Sequence, residues 1–228
     1  MIELFEKYGI ILDENMEEKF KIFREMLKNY NKMFNLTSIT DDEEIVIKHF
    51  IDSVKGVDKF STNANVFEVG SGGGFPSLPL KIIRDDLKFT LLEATGKKCE
   101  FLNAVINKLG LKNMNVINGR AEDFGKNELY RENYDYCVAR AVARLNTLCE
   151  YCIPFIKKGG KFIAYKGECG EEIKEAENAV KILGCRINGV DEFDLPEAGK
   201  RSIVEIEKIT STPFKYPRGN GKEKNKPL

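Results

Sequence analysis

The residues best suited to chemistry in this chain are Glu68-Val69-Gly70-Ser71-Gly72-Gly73-Gly74-Phe75, an acid that leads into a glycine-rich turn. Glycines let the backbone approach a ligand closely and adopt positive φ. At the carboxyl end of the first strand of a doubly wound sheet, such a turn lies in the crevice where ligands bind. A dinucleotide fingerprint beginning at Gly70 requires glycine or alanine at 75, where Phe75 stands, and a phosphate loop requires Gly-Lys-Ser/Thr, where Pro76-Ser77 follow. Neither phosphate site fits. A second acid, Glu93, ends the next strand-like run, where a carboxylate can accept hydrogen bonds from both hydroxyls of a ribose. Gly119-Arg120-Ala121-Glu122-Asp123 follows a third run.

Other reactive types carry less. The single histidine, His49, stands between a catalytic role and a packed one. Cys149-Glu150-Tyr151-Cys152 spells C-x-x-C within an amphipathic pattern and lacks a second pair at zinc-site spacing, so it reads as core packing and no metal is inferred. A serine hydrolase has no G-x-S-x-G elbow here. Arg140 and Arg144 precede a helical pattern, where cations oppose the helix dipole and call for an anion; a cofactor carboxylate or RNA phosphate would provide one.

The elements that must position these residues follow from periodicity. Phe20, Phe23, Leu27, Tyr30 and Phe34 recur at threes and fours, which predicts a helix over Met16–Phe34. Thr40-Asp41-Asp42-Glu43 has the form of a capping box with Thr40 as the cap, opening a helix through Ile45, His49 and Val54. After Asn63 the texture changes. Val66–Val69, Phe89–Leu92, Asn115–Ile117, Tyr136–Val138 and Phe162–Tyr165 read as strands, separated by helices near Leu78–Arg84, Lys97–Leu109, Leu145–Ile156 and Glu171–Leu183. This alternation implies an α/β fold with a parallel sheet and right-handed crossovers. Arg186–Val190 and Ile203–Ile209 add a terminal antiparallel pair. The expected organisation is an N-terminal helical extension over 1–60, the α/β domain over 61–210 and a basic tail over 211–228. With three prolines and two glycines, the tail is expected to lack regular structure and to be dispensable for folding.

The acid-x-G-x-G-x-G pattern resembles motif I of the class I S-adenosylmethionine-dependent methyltransferases, a Rossmann-like fold with a mainly parallel seven-stranded sheet and helices on both faces. On that resemblance Gly70 and Gly72 line the methionine part of the cofactor, and Ala121 and Glu122 lie where the fold holds adenine. A closer likeness covers nearly the whole chain: Asn35-Leu36-Thr37-Ser38, His49-Phe50-Ile51-Asp52-Ser53, Gly74-Phe75-Pro76, Leu91-Leu92-Glu93, Arg120-Ala121-Glu122, Ala139-Arg140-Ala141, Lys166-Gly167 and Lys215-Tyr216-Pro217-Arg218. These segments resemble the bacterial RsmG (GidB) family, which methylates N7 of one guanine in the decoding region of 16S ribosomal RNA. The resemblance implies S-adenosyl-L-methionine as cofactor, with contacts at Gly70, Phe75, Ala121, Glu122 and Arg140, joined by Gly72 and Glu93. Asn35, His49, Arg120 and Lys166 become candidates for the RNA side of the cleft. No catalytic residue is assigned, because guanine N7 carries an in-plane lone pair and no proton and needs no base. Glu68 and Glu93 stand where the family often has Asp, and Ser77 where it often has Gly.

Composition bounds the alternatives. Thirty-six basic and 36 acidic residues cancel, but the tail from Ser211 holds five cations against Glu223, which leaves the rest acidic and argues against a chain built throughout to coat nucleic acid. No apolar stretch approaches the roughly 20 residues of a membrane span, and Glu3, Glu6 and Asp13 interrupt the start, so a cytoplasmic protein is expected. A monomer acting on 16S rRNA or the small ribosomal subunit is the expected partner relation. The rivals are a non-catalytic ribosome- or RNA-binding protein of this fold, and a methyltransferase acting on a small molecule or a protein; Phe214 and Tyr216 among the tail cations favour RNA, whose bases stack on aromatics.

Overall fold

The computed structural model describes residues 1–196 and 198–228. In chain order the elements are α1 (Ile2–Lys7), α2 (Glu14–Phe34), α3 (Asp42–Ile45), a π-helical turn (Val46–Ile51) and α4 (Asp52–Val54). β1 (Asn65–Val69), α5 (Ser77–Ile83), β2 (Lys88–Glu93), α6 (Gly96–Leu109), β3 (Met114–Asn118), α7 (Ala121–Phe124), β4 (Tyr134–Arg140), α8 (Leu145–Cys152), β5 (Ile156–Lys166) and α9 (Gly170–Ile182) then alternate. β6 (Cys185–Leu195), β7 (Gly199–Lys208) and a short α10 (Lys222–Asn225) close the chain. The strand order is β3-β2-β1-β4-β5-β7-β6, parallel through β5 and antiparallel for the last two strands.

Each face of the sheet has its own core. On one, α2 lays Phe20, Phe23 and Leu27 beside Phe50 and Phe101, with Phe23 and Phe50 ring centroids 5.2 Å apart. The N-terminal helices thus share a core with the sheet. On the other face Phe67 stacks on Phe155 at 3.9 Å, and Cys149 and Cys152 are buried among the same residues. Burial pushes both thiols above their usual range, as expected of packed cysteines and not of nucleophiles.

Two expectations change. The cap of the helix before His49 is Asp41, whose carboxylate accepts from the Glu43 and Glu44 amides at 3.0 Å, and not Thr40; one carboxylate oxygen satisfies two orphan donors where a hydroxyl would meet one. The tail is neither irregular throughout nor loosely laid on the surface. From the amino end of β4 it climbs across α8 to the ligand side of the sheet, and it ends in α10. Arg131 donates to the carbonyls of Thr212 and Tyr216, Glu132 accepts from the Thr212 amide, and Arg218 forks onto the buried Glu150 with contacts from 2.7 Å. Glu223, fully buried, accepts from the Gly219 amide. Proline and glycine exclude long elements but not packing, and two buried carboxylates hold this strap in place.

Candidate functional site

The parallel strands end at a cleft of about 510 Å³, lined from the loops after β1, β2, β3 and β4 together with 36–38 and His49. The glycine turn is latched to β2 because the Gly70 and Ser71 amides donate to the Leu92 carbonyl at 2.8 and 3.2 Å. Glu93 then reaches across, accepting from the Gly72 amide at 2.9 Å and the Thr95 amide at 2.8 Å. Each carboxylate oxygen keeps a lone pair for a hydroxyl donor.

Three glycines of this turn have positive φ for different reasons. A Cβ on Gly70 would meet Val142 at 2.7 Å and one on Gly74 would meet Leu78 at 2.2 Å, so these two serve protein packing. A Cβ on Gly72 would have only the Gly70 carbonyl, at 3.8 Å. Its space belongs to the cleft. Beneath the turn Glu68 is fully buried: Oε1 accepts from the Ser77 amide at 3.3 Å, while Oε2 and the nearby hydroxyls of Ser71 and Ser77 make no contact of full hydrogen-bond geometry among the described residues. Burial pushes the Glu68 carboxyl up to about 7, against the opposing pull of Ser71, Ser77 and Arg140. A cationic ligand above the turn would favour its ionised form. A ligand with a positive centre, a ribose and no phosphate suits this donor and acceptor set.

The other wall is a chain of buried polar groups. Arg140, at the end of β4, donates from Nη1 to Asp52 Oδ2 at 2.6 Å and to the Lys48 carbonyl at 3.0 Å, and from Nη2 to His49 Nδ1 at 2.8 Å. Because arginine only donates, Nδ1 must be the unprotonated nitrogen, and Nε2–H is the donor to Thr37 Oγ at 2.7 Å. His49 is 8% exposed, and burial first and Arg140 second lower its pKa to about 3. It stacks on Phe75 at 4.4 Å, and the Arg140 guanidinium lies 5.1 Å from the same ring. The π turn supports this assembly; such wide turns recur at functional sites.

Of the sequence-selected residues, Gly70, Gly72, Phe75, Glu93, Ala121, Glu122, Arg140, His49 and Arg120 line one cleft. Two do not. Lys166 donates to the Ala143 carbonyl at 3.0 Å and pairs with Glu172 at 2.6 Å, so its charge is spent on the start of α8 and α9. Asn35 is exposed and caps α2 in the left-handed conformation, with φ 50°; its neighbours Leu36, Thr37 and Ser38 reach the cleft instead. The anion expected for Arg140 is Asp52, and that for Arg144 is Glu175 at 2.7 Å. Sequence reasoning missed Asp52, whose signal was its place three residues after His49 on a helix. It also missed Lys98, Tyr151 and Lys224, which line the cleft from α6, α8 and α10 and carry no local signal.

Strand order, crevice and glycine turn together define a class I S-adenosylmethionine-dependent methyltransferase. Solved structures of that fold agree: TYW2 of M. jannaschii, whose structure is described as a complex with AdoMet, superimposes with a TM-score of 0.54 at 13% identity over 69% of this chain and 77% of that one. A putative transferase from Pyrococcus horikoshii gives 0.57 at 15% identity over 70% and 63%. The family model GidB, described as rRNA small subunit methyltransferase G, matches residues 16–203, and the chain belongs to that family. Relatives named ribosomal RNA small subunit methyltransferase G share 45% identity in Acetivibrio thermocellus, over 100% of this chain and 95% of the relative, and 45% in Brevibacillus brevis, over 99% and 97%.

Proposed function

We propose that this protein transfers the methyl group of S-adenosylmethionine to N7 of one guanine in 16S ribosomal RNA, acting as a monomer on the RNA or the small subunit. The cofactor supplies an electrophilic methyl on a sulfonium. Around it, Gly72 leaves room for the methionine part, Gly70 lines the same end while packing against Val142, Glu93 receives the ribose hydroxyls, and Ala121 and Glu122 flank the adenine. Arg140 and Phe75 form the opposite wall. Residues 1–60 supply that wall through His49 and Asp52, 61–210 carry the cofactor turns, and 211–228 form the strap.

The observation that carries this reading is the state of His49. Its only basic nitrogen is occupied by Arg140 at 2.8 Å, so it has no lone pair with which to take a substrate proton. A nucleophile that carries no proton suits such a cleft, and guanine N7 is one. Catalysis then rests on alignment, worth about 7–11 kcal/mol in favourable cases. The methyltransferase acting on a small molecule fits less well, because the side chains of Arg120, Lys98 and Lys224 at the cleft have no hydrogen-bond or ion-pair partner among the described residues and suit a polyanion.

The test is to incubate the protein and S-adenosylmethionine with 16S rRNA, or small subunits, from cells lacking this protein and to map N7-methylguanine by base-specific cleavage. One modified guanine is expected. Methyl transfer to another atom, or no transfer to either substrate, would refute the reading.

A further inference from the structure

The strap does more than close the fold. Its α10 turn presents Lys224 to the cofactor cleft, and the same lysine lines a second chamber of about 360 Å³ that continues beyond Ala121 and Glu122. Arg120, Glu122, Tyr151 and Lys224 line both cavities, and Asp123, Asn220 and Gly221 complete the outer one. The side chains of Lys224 and Arg120 have no ion-pair or hydrogen-bond partner among the described residues, whereas that of Arg218, six residues before Lys224, is held by Glu150. Two free cations stand beside the end of the cleft where the cofactor is neutral, since its one carboxylate belongs to the methionine end. They call for an anion from another molecule.

We infer that the outer chamber is a phosphate subsite for the substrate RNA, in which Arg120 and the strap-borne Lys224 hold a backbone phosphate near the target guanine. The inference rests on the proposed rRNA substrate. It gives the strap a function: the buried Glu150 and Glu223 fix a turn whose exposed product is one lysine at the cleft. Two carboxylates, Glu122 and Asp123, line the same chamber and oppose an anion, so they weaken this contact and confine the phosphate to the Arg120 and Lys224 side.

The test measures binding of 16S rRNA lacking the modification, as a function of potassium chloride, together with calorimetric binding of S-adenosylhomocysteine. Lys224→Ala should lower the log–log salt slope by about 0.7–0.9, which is roughly threefold less change in affinity between 50 and 200 mM salt, and leave cofactor affinity within twofold. Lys226→Ala, a cation of the same strap outside both cavities, should leave the slope unchanged. Asp123→Asn should tighten RNA binding. An unchanged slope in Lys224→Ala, or an equal loss in Lys226→Ala, would overturn the subsite. Weakened cofactor binding with an unchanged slope would overturn it too and make the turn a cofactor wall. Failure of the unmodified protein to bind or methylate rRNA would instead remove the substrate reading itself, before any variant is compared.

Discussion

The glycine turn and the C-terminal strap both border the cleft, but they are held there by opposite means. In the turn, most contacts are made by the backbone to its own neighbours and to the adjoining strand end, as with the Gly74 amide donating to the Ser71 carbonyl at 2.7 Å. In the strap, side chains reach partners remote in sequence: Arg218 to Glu150, Arg131 to Tyr216, and Thr147 to the Glu223 carbonyl at 3.1 Å. The turn is therefore locally specified and robust, and its sensitivity lies in ligand space. The strap depends on buried charge, so its sensitivity lies in stability.

The largest expected effect tests the strap. Arg218→Ala leaves Glu150, 1% exposed, without its counter-charge, which costs about 3–5 kcal/mol when a buried pair is broken from one side. Chemical denaturation should show that loss, and cofactor affinity measured on the remaining folded protein should change little. A loss below about 1 kcal/mol would place the strap with the loosely held chain ends.

Gly72→Asp tests the turn in the reverse sense. The new side chain enters open cleft and, with the cofactor placed as proposed, puts a negative charge near its carboxylate, so S-adenosylmethionine affinity should fall about a hundredfold, or about 2.7 kcal/mol. Stability should fall by only about 1 kcal/mol, the cost of a side chain at φ 53°. Large destabilisation with intact binding would reverse the comparison.

A smaller effect concerns the group under the turn. The Glu68 carboxyl has an ordinary value of 4.5 and is raised to about 7 in the folded protein, so between those values the folded state keeps a proton that the unfolded state has released. Its contribution to stability is present at low pH and is lost as pH rises from about 4.5 to 7. His49 works in the other direction: lowered from 6.5 to about 3, it favours the folded state above 6.5 and withdraws that support as pH falls. Glu68→Gln should remove the first slope, so that on going from pH 5 to 8 the variant gains roughly 2 kcal/mol of stability relative to the parent. Parallel stability profiles for the two proteins would mean that Glu68 is ionised throughout.

The alternation of strands and helices, the terminal antiparallel pair and the turn with its two acids are legible in the residue order alone. These depend on period-two and period-3.6 patterning and on glycine at fixed offsets, all of which act within a few residues. Strand-end acids, the glycine motif and the family likeness together selected the nine residues that the cleft brings together. Which charges are spent is set by the three-dimensional packing. Lys166 and Arg218 read like available cations, yet Glu172 and Glu150 consume them, while the side chains of Lys98, Arg120 and Lys224 have no such partner among the described residues. It decided, too, that His49 is a neutral acceptor clamped by Arg140, a residue 91 positions away. Charge pairing and protonation follow from three-dimensional proximity and burial, and neither quantity has a period along the chain.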